Sequence, residues 1–367
     1  MEPQQSIGVP STTAIQHFWL GLQAKEEVSK MLRVPNTSQV AVFVAIAIAL
    51  SLVLLPLQAR ARMLGVPDPF PTIQAGLDSA GAGDTVLVEH GIYCENLIWP
   101  DTPGIKLFAN EQAPPESTVI DASNAEASAV RIATPMDYTT EIRCFVIRNG
   151  GGVNGGGLYC SAASPTISFN RFENDKVSSY GGGVYCQSSS ARILSNTFAA
   201  DSAAYGGAIA SIGRSSPILR GNTIDSCHAD QGGGVYSSNG GHIIDNTIMH
   251  CDGTGAGMYL SGIAVADSNT VSSNYGSGFH CTGTCTLSNN DISGNQWEGV
   301  YVTDGSSAHI AGNIIASNTT GIMVEHASPL IEANTIASNS IGISFCWGDG
   351  SQVGYNSICY NDIGVYT

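Results

Sequence analysis

Residues 310–343 read IAGNIIASNTTGIMVEHASPLIEANTIASNSIGI, which is one pattern written twice. Each copy has an apolar residue, an Asn three positions later and a second apolar residue two positions after that Asn. A repeat of 20 to 50 residues is typical of a solenoid, in which each unit buries its apolar face against its neighbours. The Asn recurs at spacings of 21 to 26 residues, at Asn170, Asn196, Asn222, Asn246, Asn269, Asn290, Asn313, Asn334 and Asn356.

A second feature keeps the same spacing, a small residue that is always followed by an apolar one. Each repeat thus contains three short apolar segments bounded by Gly, Ser and Asn, without a helical period, and such segments are typical of strands. We predict an all-β solenoid of three parallel sheets and about ten coils, roughly 50 Å long. The small residues are Gly157, Gly183, Ala208, Gly234, Gly257, Gly278, Gly299, Gly321, Gly342 and Gly364.

A further polar column lies five positions after the repeating Asn. Asn suits a tight bend because it tolerates the left-handed backbone region, and stacked Asn side chains can hydrogen bond from coil to coil. The sequence therefore predicts a structural role for the Asn residues at the corners. The column contains Asn149, Asp175, Asp201, Cys227, Cys251, Asn274, Asn295, Asn318, Asn339 and Asn361.

The segment before the repeats has a different pattern. Residues 70–80, FPTIQAGLDSA, place Ile73, Leu77 and Ala80 on one helical face, and residues 83–97 then indicate a turn, a strand, a turn and a strand. A helix over the first coil would cap the open end of the sheets.

This segment also carries a resemblance. Thr72–Ala75, Gly83–Val86 and Gly91–Tyr93, continued by Ser117–Asp121, resemble the opening of right-handed parallel β-helix proteins of the pectate-lyase-like superfamily. The coils with Gly206–Ile209 also resemble the repeats of chlamydial polymorphic outer-membrane proteins. The resemblance covers about residues 70–367 and implies the right-handed fold. It does not choose a function, because the superfamily includes lyases, polygalacturonases, epimerases and non-catalytic adhesins.

The N-terminal region has the sequence pattern of an export signal. Residues 40–57, VAVFVAIAIALSLVLLPL, carry no charge, and Ala59-Arg60-Ala61 has the form of a cleavage site. We expect residues 1–39 to be an N-terminal region and residues 40–61 to be a signal peptide or a signal anchor. If translation starts at Met31 rather than at Met1, Arg33 supplies the basic residue of a cleaved signal peptide. Either alternative places the repeats outside the cytoplasm, in a secreted or cell-surface protein that is cleaved free or anchored by residues 40–57.

The remaining chain divides into a cap with irregular coils, residues 68–135, and regular repeats, residues 136–367. Because Gly364–Thr367 is the middle of a coil, we expect a truncated chain, or a further domain or subunit that caps this end. All ten Cys follow the apolar segment. Cys160 and Cys186 occupy equivalent positions, so they are either buried free thiols or a disulfide.

Charge excludes one class of partner. The net charge is −16, and no Lys or Arg follows Arg220, against twelve Asp and Glu. This half cannot neutralise phosphates, so nucleic acid is not expected as a partner. Acidic polysaccharides are disfavoured there too, unless a divalent cation bridges them.

Catalytic signatures are incomplete. The resemblance implies, for polygalacturonases, paired Asp with Gly-His-Gly and Arg-x-Lys, and the chain has neither tripeptide. For lyases it implies an Arg or Lys base, which leaves Arg171, Lys176, Arg192, Arg214 and Arg220, spread over several coils.

The best enzymatic candidate is an acidic patch in the early coils. Asp175 and Asp201 share a column, and two close carboxylates raise one pKa or recruit a cation. Asp175, Asp201, Asp225 and His228 are the candidate acid and base groups, and Glu173, Asp175, Asp201, Asp230 and Asp252 are candidate calcium ligands. The alternative is a set of solvated turn residues. His280 and His326 are expected to be ordinary surface residues.

A Tyr stripe is the more interesting feature. The residue after an inward one points outward in a strand, which predicts a row of outward Tyr whose flat faces can lie against sugar rings. The alternative is that these Tyr favour strands and pair with ladder neighbours. The stripe contains Tyr159, Tyr185, Tyr236, Tyr259 and Tyr301.

These observations favour an exported, non-catalytic module that binds a polysaccharide, a cell-surface glycan or a protein partner along the Tyr stripe. The alternative is a carbohydrate-active enzyme, a polysaccharide lyase or uronate epimerase that uses the acidic patch. A purely structural spacer is the third hypothesis. No cofactor is expected, apart from calcium in the enzymatic alternative.

Overall fold

The computed structural model describes residues 61–112, 117–123, 126–347 and 350–367. The predicted signal segment 40–57 and the predicted start at Met31 lie outside these residues. Within the described part of the chain, no helix has both the length and the apolar character needed to cross a membrane.

Three parallel sheets run the length of residues 63–366. Within the described residues, sheet 1 has 13 strands: Met63–Val66, Thr85–Val88, Lys106–Ala109, Glu141–Arg143, Thr166–Ser168, Arg192–Leu194, Ile218–Arg220, His242–Ile244, Val265–Asp267, Thr286–Ser288, His309–Ala311, Leu330–Glu332 and Gln352–Gly354. Sheet 2 there has 12: Gly91–Tyr93, Thr118–Asp121, Val146–Arg148, Arg171–Glu173, Thr197–Ala199, Thr223–Asp225, Thr247–Met249, Thr270–Ser272, Asp291–Ser293, Ile314–Ala316, Thr335–Ala337 and Ser357–Cys359. Sheet 3 also has 12 in those ranges: Leu97–Ile98, Val130–Ile132, Leu158–Ser161, Val184–Gln187, Ile209–Ile212, Val235–Ser237, Met258–Leu260, Phe279–Cys281, Glu298–Val302, Thr320–Glu325, Ile341–Cys346 and Ile363–Tyr366.

Each coil contributes one strand to each sheet, and the inward side chains form the core. Ile167 is in register with Ile193 in sheet 1, Phe172 with Phe198 in sheet 2 and Leu158, through Val184, with Ile209 in sheet 3. All of these residues are fully buried. The predicted prism of three parallel sheets is confirmed.

The predicted coil number was too low. The solenoid has about 13 turns, because the strands from Met63–Val66 to Val130–Ile132 pair in the same sheets although they lack the Asn repeat. At the usual strand spacing the solenoid is about 58 Å long.

The predicted capping helix is Ile73–Ser79. Its N-cap Thr72 accepts a hydrogen bond from the Ala75 N–H at 3.1 Å, and Ile73, Gly76 and Leu77 are buried. A Cβ on Gly76 would lie 2.9 Å from Val86 Cγ1 and 3.2 Å from Val66 Cγ2. The helix therefore rests directly on the inward residues of the first two strands of sheet 1.

The repeating Asn residues form a buried ladder, as predicted. In each rung one Asn donates from Nδ2 to Oδ1 of the next, for example Asn290 to Asn313 at 2.9 Å, and its backbone N–H donates to the same oxygen. The left-handed backbone, however, belongs to the residue in front of the Asn, such as Ser195 (φ 54°) or Ala333 (φ 54°). The amide is selected for its hydrogen bonds rather than for its own backbone angle.

The second polar column also needs one correction. Val146 is in register with Arg171, so Asn149 matches Asn174, and Gly150 is the residue equivalent to Asp175. Asn149 and Asn174 have left-handed φ values of 59° and 58°, as this register requires. The column therefore begins at Gly150.

An additional sheet, not predicted from the sequence, projects from the corner between sheets 2 and 3. Its strands are Ser202–Tyr205, His228–Gln231 and Asp252–Thr254. Each strand begins directly after a residue of the second polar column, namely Asp201, Cys227 and Cys251. The column lacks Asn in the coils that carry this side sheet.

At the last coil the core opens to solvent. Val353 and Val365 are 46% and 49% exposed, whereas Ile331 and Ile343, which precede them in the same columns, are 0% exposed. The ten Cys of the described residues are all free thiols, and the register partners Cys160 and Cys186 are buried.

Candidate functional site

The five predicted Tyr lie on the outward side of sheet 3, as the strand alternation requires. Tyr159 is in register with Tyr185, and Tyr236 with Tyr259. Tyr301 stands two coils after Tyr259, with His280 between them. Between Tyr185 and Tyr236 the column holds Ala210, which leaves a gap in the sequence pattern.

Two further Tyr fill that gap. Tyr180 and Tyr205 stand at the corner before sheet 3 and are joined by a parallel bridge. Their rings stack with centroids 4.8 Å apart, and Tyr205 contacts Tyr236 at 5.3 Å. Ala210 is fully buried. The sequence carries a signal for these two Tyr, since Tyr180-Gly181-Gly182 and Tyr205-Gly206-Gly207 are equivalent in successive repeats.

The result is a continuous row of rings, which we call the aromatic ladder. It contains Tyr159, Tyr180, Tyr185, Tyr205, Tyr236, Tyr259, His280 and Tyr301, and neighbouring centroids are 4.6 to 6.1 Å apart. From Tyr159 to Tyr301 it spans seven coils, about 29 Å at the ladder spacing.

Ring packing changes what the ladder offers to a ligand. Tyr236 and Tyr259 stack at 5.4 Å with 20° between their planes, and Tyr259 stacks on His280 at 4.6 Å. Tyr185 is only 3% exposed, and the other Tyr of the ladder are half-buried. The flat faces expected to meet sugar rings are thus largely covered by neighbouring rings. Ring edges and phenol hydroxyls are what remains at the surface.

The hydroxyls form their own row of polar contacts. Burial raises the pKa of Tyr236 and Tyr259, and the hydroxyls of Ser261 and Thr282, each one coil further on, partly offset this rise. The Tyr301 hydroxyl donates to the Glu325 carboxylate. Burial and this carboxylate raise the pKa of Tyr301 to about 12. The phenols of Tyr236, Tyr259 and Tyr301 are therefore neutral at physiological pH.

His280 was expected at the surface, and this expectation is wrong. The ring is 6% exposed, and it lies between Tyr259 and Tyr301, with centroids at 4.6 and 4.7 Å. Neither ring nitrogen has a hydrogen-bond partner. Burial lowers the pKa of His280 to about 4, so the imidazole is neutral and acts as a further flat ring. His326 is exposed, as expected, and faces Trp347 at 6.2 Å.

The predicted acidic patch is divided between the interior and the surface. Asp175 and Asp201 are fully buried, because their column faces the core. Asp225 lies outside, where Oδ1 is 2.9 Å from His250 Nδ1, and His228 Nδ1 is 3.3 Å from Asp252 Oδ2.

The other predicted acids stay on the surface. Glu173 forms ion pairs with Arg171 and Arg148, and Asp230 is exposed. In the described ranges no three His, Cys, Asp or Glu converge to hold a metal ion.

Burial also raises the pKa of Asp175 and Asp201. For Asp175 the second cause is the neighbouring Asp201 carboxyl, and for Asp201 desolvation is opposed by the hydrogen bond from the Asp175 N–H. One oxygen of each carboxyl, Oδ2, accepts no hydrogen bond. Both groups are shielded from any substrate on the surface.

Three of the predicted lyase bases are engaged by other side chains. Arg171 Nε is 2.8 Å from Glu173 Oε2, and Arg220 Nε is 3.2 Å from Asp245 Oδ2. The Arg192 guanidinium lies 4.5 Å from the Tyr138 ring centroid. A groove of about 540 Å³ beside Arg171 also contains Arg143, which is paired with Glu111.

The N-terminal end of the ladder opens into a cavity of about 490 Å³. Two earlier residues of the same outward column, Ile98 and Arg131, form its floor together with Tyr159. The Arg131 guanidinium lies 4.1 Å from the Tyr159 ring centroid. The cavity and the ladder are thus one continuous surface.

Known protein families match the regular repeats. A model described as "Right handed beta helix region" matches residues 128–287, and one described as "Periplasmic copper-binding protein (NosD)" matches residues 261–367. The chain is a right-handed parallel β-helix. The likeness of its repeats to those of the chlamydial outer-membrane proteins stays a prediction. No curated protein sequence matches this β-helix.

Several solved β-helix structures are similar at low sequence identity. The A-modules of the Azotobacter vinelandii mannuronan C-5 epimerases AlgE4 and AlgE6 share 15% and 14% identity, with TM-scores of 0.37 and 0.41. Each alignment covers 80% of this chain, and 92% and 93% of the respective module. The GH136 lacto-N-biosidase from Eubacterium ramulus shares 11% identity at a TM-score of 0.39, over 95% of this chain and 74% of that enzyme.

Copper ligands in the second matched region do not converge. Copper favours thiolate, thioether and imidazole ligands. Of the described histidines there, His280 lies in the aromatic ladder, His309 Nε2 is 3.0 Å from Glu332 Oε1, and His326 faces Trp347. No three His, Cys, Asp or Glu converge in the described part of this region, so these residue types do not form a three-ligand copper centre there.

Proposed function

We propose that the protein is a non-catalytic, extracytoplasmic module that binds glycans along the aromatic ladder. The observation that carries this proposal is the unbroken row of rings over seven coils, in which every Tyr but Tyr185 is half-buried, with phenol hydroxyls along it. Ring edges can pack against a sugar through van der Waals contact, and the hydroxyls can exchange hydrogen bonds with sugar hydroxyls. Because the rings repeat along the coils, the ladder suits an extended polysaccharide whose sugar units also repeat.

Location outside the cytoplasm is supported by the apolar segment 40–57 and by the match to a family described as periplasmic. A soluble extracellular polysaccharide or a cell-surface glycan would be accessible there.

The enzymatic alternative has less support. Its acid pair is buried, and its candidate arginines Arg171 and Arg220 are ion-paired. Of the surface acids, Glu173 pairs with an arginine, and Asp225 and Asp252 lie beside histidines. Catalysis needs groups that reach the substrate at hydrogen-bond distance.

Retention on a panel of immobilised polysaccharides tests the proposal. We expect wild-type protein to be retained by at least one glycan, and Tyr236→Ala with Tyr259→Ala to lower retention at least tenfold. Tyr275→Ala is the matched control, since Tyr275 is 56% exposed and lies outside the ladder. Far-ultraviolet circular dichroism checks that the β-helix stays folded.

Two results would contradict the proposal. Equal retention of the ladder double variant and the wild type would mean that the rings do not bind the glycan. Release of unsaturated sugar ends by the purified protein, with calcium added, would show that the protein is a lyase.

A further inference from the structure

The cavity at the start of the ladder has a built floor. Ile98, Arg131 and Tyr159 are register partners in three successive strands of sheet 3, so they continue the ladder column toward the capping helix. Ile98 is 65% exposed although it is a large apolar residue. The side chain of Gln74, in the helix, accepts from the Ile98 N–H at 2.8 Å and donates to the Ile98 carbonyl at 2.9 Å. The helix thus ends the column at Ile98.

Two corner segments form the walls of the cavity. They are 126–128 and 151–154, which precede the second and third strands of sheet 3. In the second segment, Val153 is 62% exposed and points another apolar side chain to the solvent. Asn154 Oδ1 accepts from the Tyr180 N–H at 3.1 Å, which joins this wall to the ladder.

The lining combines the groups that hold a sugar ring. Ile98, Val153 and Tyr159 are apolar or aromatic, and Asn96, Glu126 and Arg131 supply polar atoms around them. A volume of about 490 Å³ lies within the range of small-molecule sites, which are mostly apolar with a few polar groups.

The opposite end of the ladder carries negative charge. Glu325 accepts the Tyr301 hydroxyl, Glu298 accepts the Ser277 hydroxyl at 2.6 Å, and Asp304 acts electrostatically on Tyr259 and His280. No Lys or Arg occurs in residues 221–367. A carboxylate on every sugar unit would be repelled there, whereas carboxylates accept hydrogen bonds from neutral hydroxyls.

We propose that the cavity at Ile98, Arg131 and Tyr159 receives the terminal unit of an uncharged polysaccharide, whose following units lie along the aromatic ladder. This inference rests on the proposed glycan binding and adds two properties to it, recognition of a chain end and selection for a neutral chain.

Linear and cyclic neutral β-glucan oligosaccharides of similar length provide the test, because only the linear ones have ends. The probes compete with immobilised neutral polysaccharides for the full chain. We expect linear oligosaccharides to displace the protein at concentrations at least tenfold lower than cyclic ones. Polygalacturonate and alginate, as acidic probes, should compete poorly, and better as salt screens their repulsion from the ladder.

Pocket variants locate the effect. Val153→Trp fills the cavity and should weaken competition by linear oligosaccharides at least tenfold. Ile98→Asp, a second variant at an exposed side chain, should do the same if Val153→Trp does not fold. Ile263→Trp is the control, since Ile263 is 71% exposed and lies outside the cavity.

The outcomes separate the two proposals. If wild-type protein binds no glycan, glycan binding itself is wrong. If it binds glycans but cyclic oligosaccharides compete as well as linear ones, or both pocket variants behave as the wild type, the recognition of a chain end is wrong. If polygalacturonate is the best competitor without added calcium, the selection for neutral chains is wrong.

Discussion

The backbone N–H of Asp175 donates to Oδ1 of Asp201 at 2.9 Å, in the same way that Asn274 donates to Asn295 at 3.2 Å. The two carboxyls therefore occupy rungs that amides occupy later in the column. Asn295 also donates from Nδ2 to the Val271 carbonyl of the preceding coil. A carboxylate cannot donate that bond, but a protonated carboxyl can. Neither Asp175 nor Asp201 has a hydrogen-bond partner for Oδ2, which a neutral acid tolerates better in the buried column than a carboxylate does.

This arrangement predicts that Asp175→Asn and Asp201→Asn stabilise the β-helix at neutral pH. The folded pKa of each Asp lies above the ordinary value of 3.8. The folded state therefore binds more protons than the unfolded state, and stability falls as pH rises from about 4 toward the raised pKa. We expect a gain of about 1–3 kcal/mol per site at pH 7, the usual cost of an unsatisfied buried polar group. Denaturant unfolding at pH 4 and pH 7 measures it.

The converse variant is the control. Asn295→Asp puts a carboxyl into a rung that lacks one, so it should destabilise the protein, and more at pH 7 than at pH 4. If the Asn variants at 175 and 201 are less stable than wild type at pH 7, the two carboxyls are charged and held by other means.

In the ladder of repeating Asn residues, we expect the stability lost on replacing an Asn by Ala to depend on its position along the solenoid. Asn290 accepts from Asn269 and donates to Asn313 and to the Ala266 carbonyl, all of them buried. Asn290→Ala should lower the free energy of unfolding by about 3 kcal/mol or more, because several buried partners lose their hydrogen bonds at once. Asn356→Ala, at the half-exposed last rung, should cost about 1 kcal/mol. Chemical denaturation of both variants measures the difference, and equal losses would show that rung position does not matter.

His280 predicts a pH dependence of the opposite sign. Its pKa is about 4 in the fold against 6.5 ordinarily, so the unfolded state binds more protons and stability is lost as pH falls from 6.5 to 4. The loss should reach about 3 kcal/mol at pH 4. His280→Phe keeps a ring between Tyr259 and Tyr301 and should remove this dependence. If the unfolding free energies of the variant and the wild type change in parallel between pH 4 and 7, protonation of His280 does not cause the pH dependence.

The sequence predicts the strands of each coil and their buried residues better than it predicts the corners between the strands. Columns such as Ile310 and Ile331 recur because every coil meets the same requirement, to bury one side chain per strand beside its neighbour, and this requirement is visible as a period. The same requirement is met by the strands Met63–Val66 and Thr118–Asp121. Their coils lack the repeating Asn, so the spacing of the Asn residues does not reveal them.

The corners between strands differ in length and sequence from coil to coil. Their structure, and therefore that of the candidate site, could not be predicted from the repeat. The side sheet that begins at Ser202 depends on the length of each corner, and the shielding of Asp175 depends on which way its column faces. Likewise, His280 is an isolated histidine in the sequence, whereas its environment in the fold is set by Tyr259 and Tyr301 in the adjacent coils. What a ladder residue contacts is decided by residues about one coil away in sequence.

The corner rings give the last prediction. Tyr205 contacts Tyr180 and Tyr236, so Tyr205→Ala removes two ring contacts. Aromatic pairs contribute about 0.5–1.5 kcal/mol each beyond their buried area, so we expect a loss of about 2 kcal/mol in unfolding free energy. Coupled rings should also lose part of the near-ultraviolet circular dichroism that Tyr275→Ala leaves intact. If Tyr205→Ala changes neither quantity, the ladder is interrupted at Ala210, and its two halves would have to bind a ligand independently.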